Sequence, residues 1–160
     1  MMPEKNYLQI MEQSLRKKLA ILNRIRLKNE EQRILLLDEN LAPDDFEKNV
    51  EEKGELIEQL ELLDKGFEEI YGRLEGILQE KREQYREEIQ KLQGQIRQIT
   101  AAGNSIQAEE KRNYELAQQK FSSVKKQVRE IKSSHKAVNE YYRTMTKTNY
   151  VGAQFLDNKK

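Results

Sequence analysis

The chain contains no cysteine and no tryptophan, and only two of its 160 residues are proline. Without cysteine there is no disulfide framework and no thiol chemistry, which fits a reducing cytoplasm. The longest aliphatic run, Ile34 to Leu37, is far shorter than the roughly 20 apolar residues that a transmembrane helix needs. No charged-then-apolar leader with a small-residue cleavage site opens the sequence, so we expect a cytoplasmic protein.

Groups suited to catalysis or metal binding are also scarce. The single histidine, His135, has no carboxylate three or four residues before it, so the helical Glu-x-x-His metal motif is missing. There is no glycine-rich phosphate-binding loop. Adjacent glutamates such as Glu87 and Glu88 point about 100° apart on a helix, so they do not form an acid–base pair. The sequence therefore predicts a protein that is not an enzyme and that has no metal or cofactor.

Charge, by contrast, is plentiful and unevenly spread. Charged residues make up 36% of the chain, yet the net charge is only +1. Residues 1–37 carry 8 basic and 4 acidic groups, residues 38–75 carry 4 and 14, and residues 111–147 carry 10 and 3. The simplest interpretation is that acidic and basic helices face each other in one bundle. A basic face for nucleic acid is the alternative, but the basic residues of the last segment are spaced around its helix, so we expect neither nucleic-acid binding nor membrane insertion.

A seven-residue ladder of side chains runs through the middle of the chain. Seven of its eight rungs are apolar: Val50, Ile57, Asp64, Tyr71, Leu78, Tyr85, Leu92 and Ile99. This spacing puts the rungs on one stripe of a helix. Because no proline interrupts residues 44–102, we expect a single second helix over that range, about 90 Å long.

Two further helices flank the ladder. The first is predicted over about residues 4–37, from a stripe at three- and four-residue spacings that contains Leu8, Met11, Leu15, Leu19, Leu22 and Ile25. It ends at a break marked by Asn40 and Pro43. The third is predicted over about residues 105–147, after Gly103, which suits a helix C-terminus. A continuous, kinked helix through Gly103 is the alternative.

The fold class that follows is all-α. Short connections make successive helices antiparallel, so we expect an elongated three-helix coiled-coil bundle over residues 1–147. In it, a long hairpin of helices 2 and 3 is thickened by helix 1 at one end. Phe67 would then lie in the three-helix part and Tyr85 in the thinner part, so truncating Phe67 should destabilise more. His135 is expected to be buried or half-buried, and residues 148–160, which lack a helical period, are expected to form a mobile tail.

Apolar and aromatic side chains are concentrated near the C-terminus. Two interpretations remain open: they complete the chain's own core, with the tail aromatics folded back over the bundle end, or they anchor a partner's amphipathic helix. The candidate partner-binding residues are Val138, Tyr141, Tyr142, Met145, Tyr150, Phe155 and Leu156.

A set of short motifs spread over about residues 5–80 resembles a known family. They are Arg33-Ile-Leu-Leu-Leu-Asp38, Asp45-Phe46-Glu47, Val50-Glu-Glu-Lys53, Leu56-Ile57, Leu60, Leu63-Asp64, Phe67 and Ile70-Tyr71. This pattern is similar to the flagellar export chaperones of the FlgN family, with the chaperones of the FliT type as a close variant that the sequence does not separate. The resemblance implies a cytoplasmic chaperone without ATPase activity, acting in flagellar type III export. It would bind hook-associated proteins through its C-terminal helix, prevent their premature assembly and deliver them to the export apparatus.

A second class of function stays open beside the chaperone. The ladder alone is equally typical of a structural or self-assembling coiled-coil protein. The sequence also leaves a homodimer open. The two classes differ in whether the apolar stripe is buried within one chain or between chains.

Overall fold

The structure, a computed structural model, describes residues 3–122, 129–130 and 132–145. This part of the chain is helical, without a strand, which confirms the all-α bundle. The helices are α1, Pro3–Leu37; α2, Pro43–Glu80; α3, Arg86–Lys120; and α4, residues 132–145, with 129–130 also helical. In these described ranges, no helix has the length and apolarity required to cross a membrane.

Helices α1 and α2 form the antiparallel hairpin that the sequence predicts. Lys18 Nζ lies 2.7 Å from Asp64 Oδ1, and Lys28 Nζ lies 2.9 Å from Glu52 Oε1, so residue numbers rise along one helix as they fall along the other. The chain reverses between α1 and Pro43, the first residue of α2, where proline costs no hydrogen bond. The predicted position of this first turn is therefore confirmed.

Helix α3 runs parallel to α1. Gln95 Nε2 donates to Glu12 Oε2 at 2.9 Å, and Arg26 Nε donates to Glu109 Oε2 at 2.9 Å, so partners on the two helices are both offset by 83 residues. Helix α2 is antiparallel to both α1 and α3. The three helices together enclose most of the apolar core.

Helix α4 completes an up-down-up-down arrangement. It is antiparallel to α3, because His135 lies against Tyr114 while Met145 lies against Gly103. It also reaches α2, through the Tyr141 hydroxyl and Asp64. The bundle thus has four helices, and the prediction of a three-helix bundle built on one long hairpin is wrong in that respect.

The predicted second helix, residues 44–102, is wrong because the chain turns at residues 81–85. This turn contains no glycine or proline, and it retains helix-like hydrogen bonds from Lys81 N to Ile77 O at 2.9 Å and from Ile89 N to Tyr85 O at 2.9 Å. The heptad spacing continues across it, because the buried stripe of α3 begins where that of α2 ends. The spacing of apolar residues alone therefore does not reveal that the chain reverses here.

The predicted third helix, residues 105–147, is wrong for the complementary reason. Gly103 lies in the interior of α3, which continues to Lys120 and ends at Phe121, whose N–H bonds Ala117 O at 2.8 Å. The glycine does not cap a helix; it leaves room for α4. The predicted helix is thus divided between the second half of α3 and α4, and the predicted tail, residues 148–160, lies outside the described residues.

The core follows the predicted stripes, but the most deeply buried positions along them differ from those predicted. The stripe of α1 is buried as predicted, with Leu19 only half-buried. Tyr85 is 2% exposed, whereas Phe67 is half-buried and packs at the edge of the core. The expectation that Tyr85 occupies the thinner part of the bundle is therefore wrong, since α1, α2 and α3 meet at that end. A smaller cluster near the first turn joins Phe46 and Phe121, whose ring centroids are 5.4 Å apart.

Candidate partner-binding site

Four of the predicted partner-binding residues belong to the described part of α4. Val138, Tyr141, Tyr142 and Met145 are all buried, with exposed fractions between 0% and 7%. They pack into the core that α1, α2 and α3 form. In this arrangement a partner cannot contact their apolar face, so their role in binding stays a prediction. The other three candidates, Tyr150, Phe155 and Leu156, lie outside the described residues.

Tyr141 connects α4 to the hairpin of α1 and α2 through the one polar rung of the ladder. Its hydroxyl donates to Asp64 Oδ2 at 2.8 Å, while Asp64 Oδ1 accepts from Lys18 Nζ at 2.7 Å. Lys18 Nζ also lies 6.0 Å from the centre of the Tyr141 ring, within cation–π range. Burial, reinforced by the nearby Asp64 carboxylate, raises the pKa of Tyr141 above its ordinary value. Asp64 of α2 therefore contacts α1 and α4 at once and joins the three helices.

Tyr142 and Met145 fit against the bare backbone of Gly103 on α3. A Cβ atom at Gly103 would lie 2.6 Å from Met145 Cε and 3.7 Å from Tyr142 Cδ1, so a side chain there would force at least the end of the Met145 side chain to move. The Tyr142 hydroxyl is buried and has no hydrogen-bond partner among the described residues. Burial, with a further contribution from the Glu110 carboxylate, raises the pKa of Tyr142. The fit is thus close in shape but incomplete in hydrogen bonding.

His135 is half-buried, as the sequence predicts. Its ring stacks on Tyr114 of α3 with the centroids 4.3 Å apart, and its Nε2 lies 3.0 Å from Asn139 Nδ2. Its Nδ1 is buried and finds no partner within the described ranges. Helix α4 therefore carries two buried polar atoms, one on His135 and one on Tyr142, that the described part of the bundle leaves unsatisfied.

A buried polar layer crosses the middle of the bundle, and the sequence interpretation missed it. At its centre, Lys53 Nζ lies 2.5 Å from Glu110 Oε1 and 3.2 Å from Asn29 Oδ1. The side chains of Lys53 and Glu110 are 1% and 4% exposed. One residue from each of α1, α2 and α3 thus meets at this level.

Amides extend this layer toward the first turn. Asn113 Nδ2 donates to Asn29 O at 2.8 Å and to Gln32 Oε1 at 3.1 Å, and Gln32 Nε2 donates to Asn49 Oδ1 at 3.0 Å. All of these residues occupy core-facing stripe positions of their helices. The sequence does show polar residues at stripe positions of three helices. They can be recognised as one layer only when the helices are correctly aligned.

The polar layer is closed to ligands. The space between Lys53, Glu110 and His135 is only ≈ 10 Å³, enough for about one water molecule. Across the described ranges, no group of three or more histidine, cysteine, aspartate or glutamate residues could hold a metal ion. Buried polar contacts of this kind can fix the alignment of helices, so we interpret the layer as a structural device.

An open groove runs between α2 and α4. Small side chains line much of it, including Gly54 and Ala137, while Val50 and Ile57 supply apolar surface. Its carboxylates are those of Glu47, Glu51 and Glu130. A groove with small residues and negative charge can accept a helix that has an apolar face and basic edges.

The sequence matches no known protein-family model and no curated protein, and the fold matches no solved structure. Evidence about function therefore comes from the residues themselves and from the resemblance of residues 5–80.

Proposed function

We propose that the chain is a cytoplasmic export chaperone of the FlgN type. It holds flagellar hook-associated proteins through their amphipathic helices, keeps them from assembling early, and passes them to the type III export apparatus. The family resemblance supports the client class. The observation that carries a helix-binding role is the incomplete hydrogen bonding of α4 in its groove.

Helix α4 is the element that exchanges partners in this proposal. Each buried polar atom without a partner costs about 1–3 kcal/mol, and α4 carries two of them, on His135 and Tyr142. When α4 separates from α3, both atoms regain water, which offsets part of the lost apolar contact. The face formed by Val138, Tyr142 and Met145 then pairs with the apolar stripe of the client, and the acidic groove beside α4 attracts a client helix with basic edges.

The competing structural coiled-coil function has less support. It depended on ladder residues that would be free to pair with another chain. Ile57, Leu78, Tyr85, Leu92 and Ile99 are instead buried within this one.

The test uses one substitution that displaces α4 and a matched one that does not. Gly103→Leu places a side chain where Met145 and Tyr142 now lie, so α4 should detach and affinity for a purified hook-associated protein should rise at least tenfold. At Gly94 on the same helix a Cβ atom would meet nothing within 4 Å, so Gly94→Leu should leave affinity unchanged. Calorimetry measures both.

A second variant removes the proposed binding element. Deleting residues 132–160 should abolish client binding. Circular dichroism shows whether the remaining helices still form. Full-affinity binding by a helical truncated chain would overturn the proposal, as would a Gly103→Leu chain that is folded and binds no better than the Gly94→Leu control.

A further inference from the structure

Three of the five large apolar side chains that are exposed in the described ranges lie close together on α1. They are Leu27, Ile34 and Leu37, with exposed fractions of 71%, 58% and 56%. Leu27 and Ile34 are seven residues apart, and Ala20, seven residues before Leu27, is exposed as well. Since seven residues are close to two helical turns, Ala20, Leu27 and Ile34 form an apolar column along the outer face of α1.

A column of charged side chains runs along one edge of this apolar column. Its members are exposed and follow each other at seven-residue spacing: Lys17, Arg24, Glu31 and Asp38. The first two are basic and the last two acidic, so the charge changes sign at the level of Leu27. Among the described residues Lys17 and Arg24 have no ion-pair partner, and Glu31 has only Lys28, whose Nζ lies 3.5 Å away. These charges are therefore largely available to a facing surface.

The other edge of the apolar column has the same polarity. It contains, again at seven-residue spacing, the exposed residues Arg16, Asn23, Glu30 and Leu37. Its basic residue comes before the level of Leu27 and its acidic residue after it. Over these three columns, α1 thus has a basic half, an apolar centre and an acidic half.

We infer that this face binds the same face of a second copy of the chain, with the two α1 helices antiparallel. The two-fold axis passes beside Leu27, so residues whose numbers add to about 54 lie opposite each other. Leu27 then packs against Leu27 of the partner subunit. Ile34, which is large, covers Ala20, which is small, once on each side of the axis.

The charges favour this antiparallel arrangement over a parallel one. The axis keeps each edge of the face on its own side, so the charged column of one copy meets that of the other. Lys17 faces Asp38, and Arg24 faces Glu31, each of them twice. A parallel pair would place opposite edges together at the same level, which brings acid against acid, as with Glu30 and Glu31. The face is therefore complementary to itself only when it is turned end for end.

The resulting interface is isologous, meaning that one surface serves both subunits. A foreign helix would need an apolar column with a basic half and an acidic half in the reverse order, and a second copy of α1 supplies all of these. Helix α4 packs against α2 and α3 and takes no part in this contact. The dimer is therefore independent of the proposed chaperone activity.

Sedimentation equilibrium on the intact chain at low salt tests this inference through a charge swap. The unmodified chain should dimerise with a Kd of about 10–200 μM, as expected for a small interface. R24E brings acid against acid at two places in the dimer, and E31K brings base against base, so each variant alone should dimerise about tenfold more weakly. In an equimolar mixture each changed residue faces the opposite charge again. Heterodimers should therefore form at about the unmodified affinity.

Two leucines of matched exposure test the apolar column. Leu27 is 71% exposed and lies at the axis, whereas Leu62 is 70% exposed and lies on α2, outside the three columns. Leu27→Ser should weaken the dimer about tenfold, because it changes both copies at the centre of the interface. Leu62→Ser should leave the dimer unchanged. Circular dichroism should show unaltered helix content in both variants, since neither side chain belongs to the core.

Three results would overturn the inference. The first is an unmodified chain that stays monomeric at about 200 μM. The second is a mixture of R24E and E31K chains that associates no better than either variant alone. The third is a Leu62→Ser chain that dimerises as weakly as the Leu27→Ser chain. None of these substitutions lies on α4, so each result can be separated from an effect on client binding.

Discussion

Lys53 Nζ lies 2.5 Å from Glu110 Oε1 in the middle of the bundle, and neither side chain is more than 4% exposed. The pair joins α2 to α3, helices that α1 otherwise separates over much of their length. Removing one member of a buried pair leaves the other charged and unpaired, which costs more than removing both.

The first prediction follows from this asymmetry. Lys53→Met should lower the free energy of unfolding by about 3–5 kcal/mol, because it leaves the buried Glu110 carboxyl group without its ion-pair partner. The double variant Lys53→Met with Glu110→Leu should lose much less. Urea unfolding of the single and double variants measures the difference. If the double variant is as unstable as the single one, the ion pair itself stabilises the bundle, and the cost of Lys53→Met does not come from the unpaired carboxyl group.

The second prediction separates two adjacent tyrosines. Tyr142→Phe removes a buried hydroxyl without a described partner, so it should raise the free energy of unfolding by about 1 kcal/mol. Tyr141→Phe removes the hydrogen bond to Asp64, so it should lower that energy by a similar amount. Chemical unfolding of both variants provides the comparison. Equal effects of the two substitutions would contradict the hydrogen-bond assignments.

The third prediction concerns two glycines of α3. Gly94→Ala should stabilise the chain by about 0.5–1 kcal/mol, because alanine favours a helix and meets nothing within 4 Å. Gly103→Leu should destabilise it, because Met145 and Tyr142 occupy the space. Hydrogen exchange should show lost protection in residues 132–145 for Gly103→Leu alone. Undiminished protection there would disprove the close approach of α4.

The fourth prediction is a loss of stability in alkaline solution. Burial raises the pKa of Tyr141 and Tyr142 in the folded chain, whereas in the unfolded chain both titrate near 10. The unfolded state therefore loses protons first as pH rises, so stability is fully present below about pH 10 and falls above it, by up to about 1.4 kcal/mol per pH unit for each group. Unfolding measured from pH 8 to 11.5 should show this slope, and replacing both tyrosines by phenylalanine should flatten it.

The fifth prediction ranks two aromatic residues by burial. Tyr85→Ala should cost about 3–5 kcal/mol, because Tyr85 is 2% exposed and its removal leaves a cavity between helices. Phe67→Ala should cost less, because Phe67 is only half-buried. Thermal melts of the two variants give the order. The reverse order would mean that the helices meet closest around Phe67.

The first helix, the first turn and most of the buried stripes could be predicted from the sequence, whereas the turn at residues 81–85 and the end of α3 at Lys120 could not. Asn40 and Pro43 marked the first reversal because they disfavour a continuing helix. The reversal at residues 81–85 uses residues that are equally at home in a helix, so nothing local distinguishes it. Gly103 led to the opposite error. Glycine is common at helix ends, so the sequence predicts an end there, but Gly103 lies inside α3 where Met145 of α4 approaches the backbone.

The packing of the candidate residues on α4 could be predicted in part. Of the two interpretations that the sequence leaves open, completion of the chain's own core holds for Val138, Tyr142 and Met145, which are buried, while their role in binding stays a prediction. The polar layer was missed because a lysine is expected in the core only when it has a partner, and the partner of Lys53 is Glu110, 57 residues later in the sequence. Pairings of that kind depend on helix alignment, which the spacing of apolar residues does not supply.

The parallel course of α1 and α3 has a consequence for the order of folding during synthesis. Partners such as Arg26 and Glu109 are separated by 83 residues, which a ribosome adds in roughly 4–17 s. Until then α1 can pair only with α2, and Lys53 faces the hairpin without its carboxylate. Glu110 then supplies the carboxylate that Lys53 contacts, and α4, made last, covers the core with Val138, Tyr141, Tyr142 and Met145.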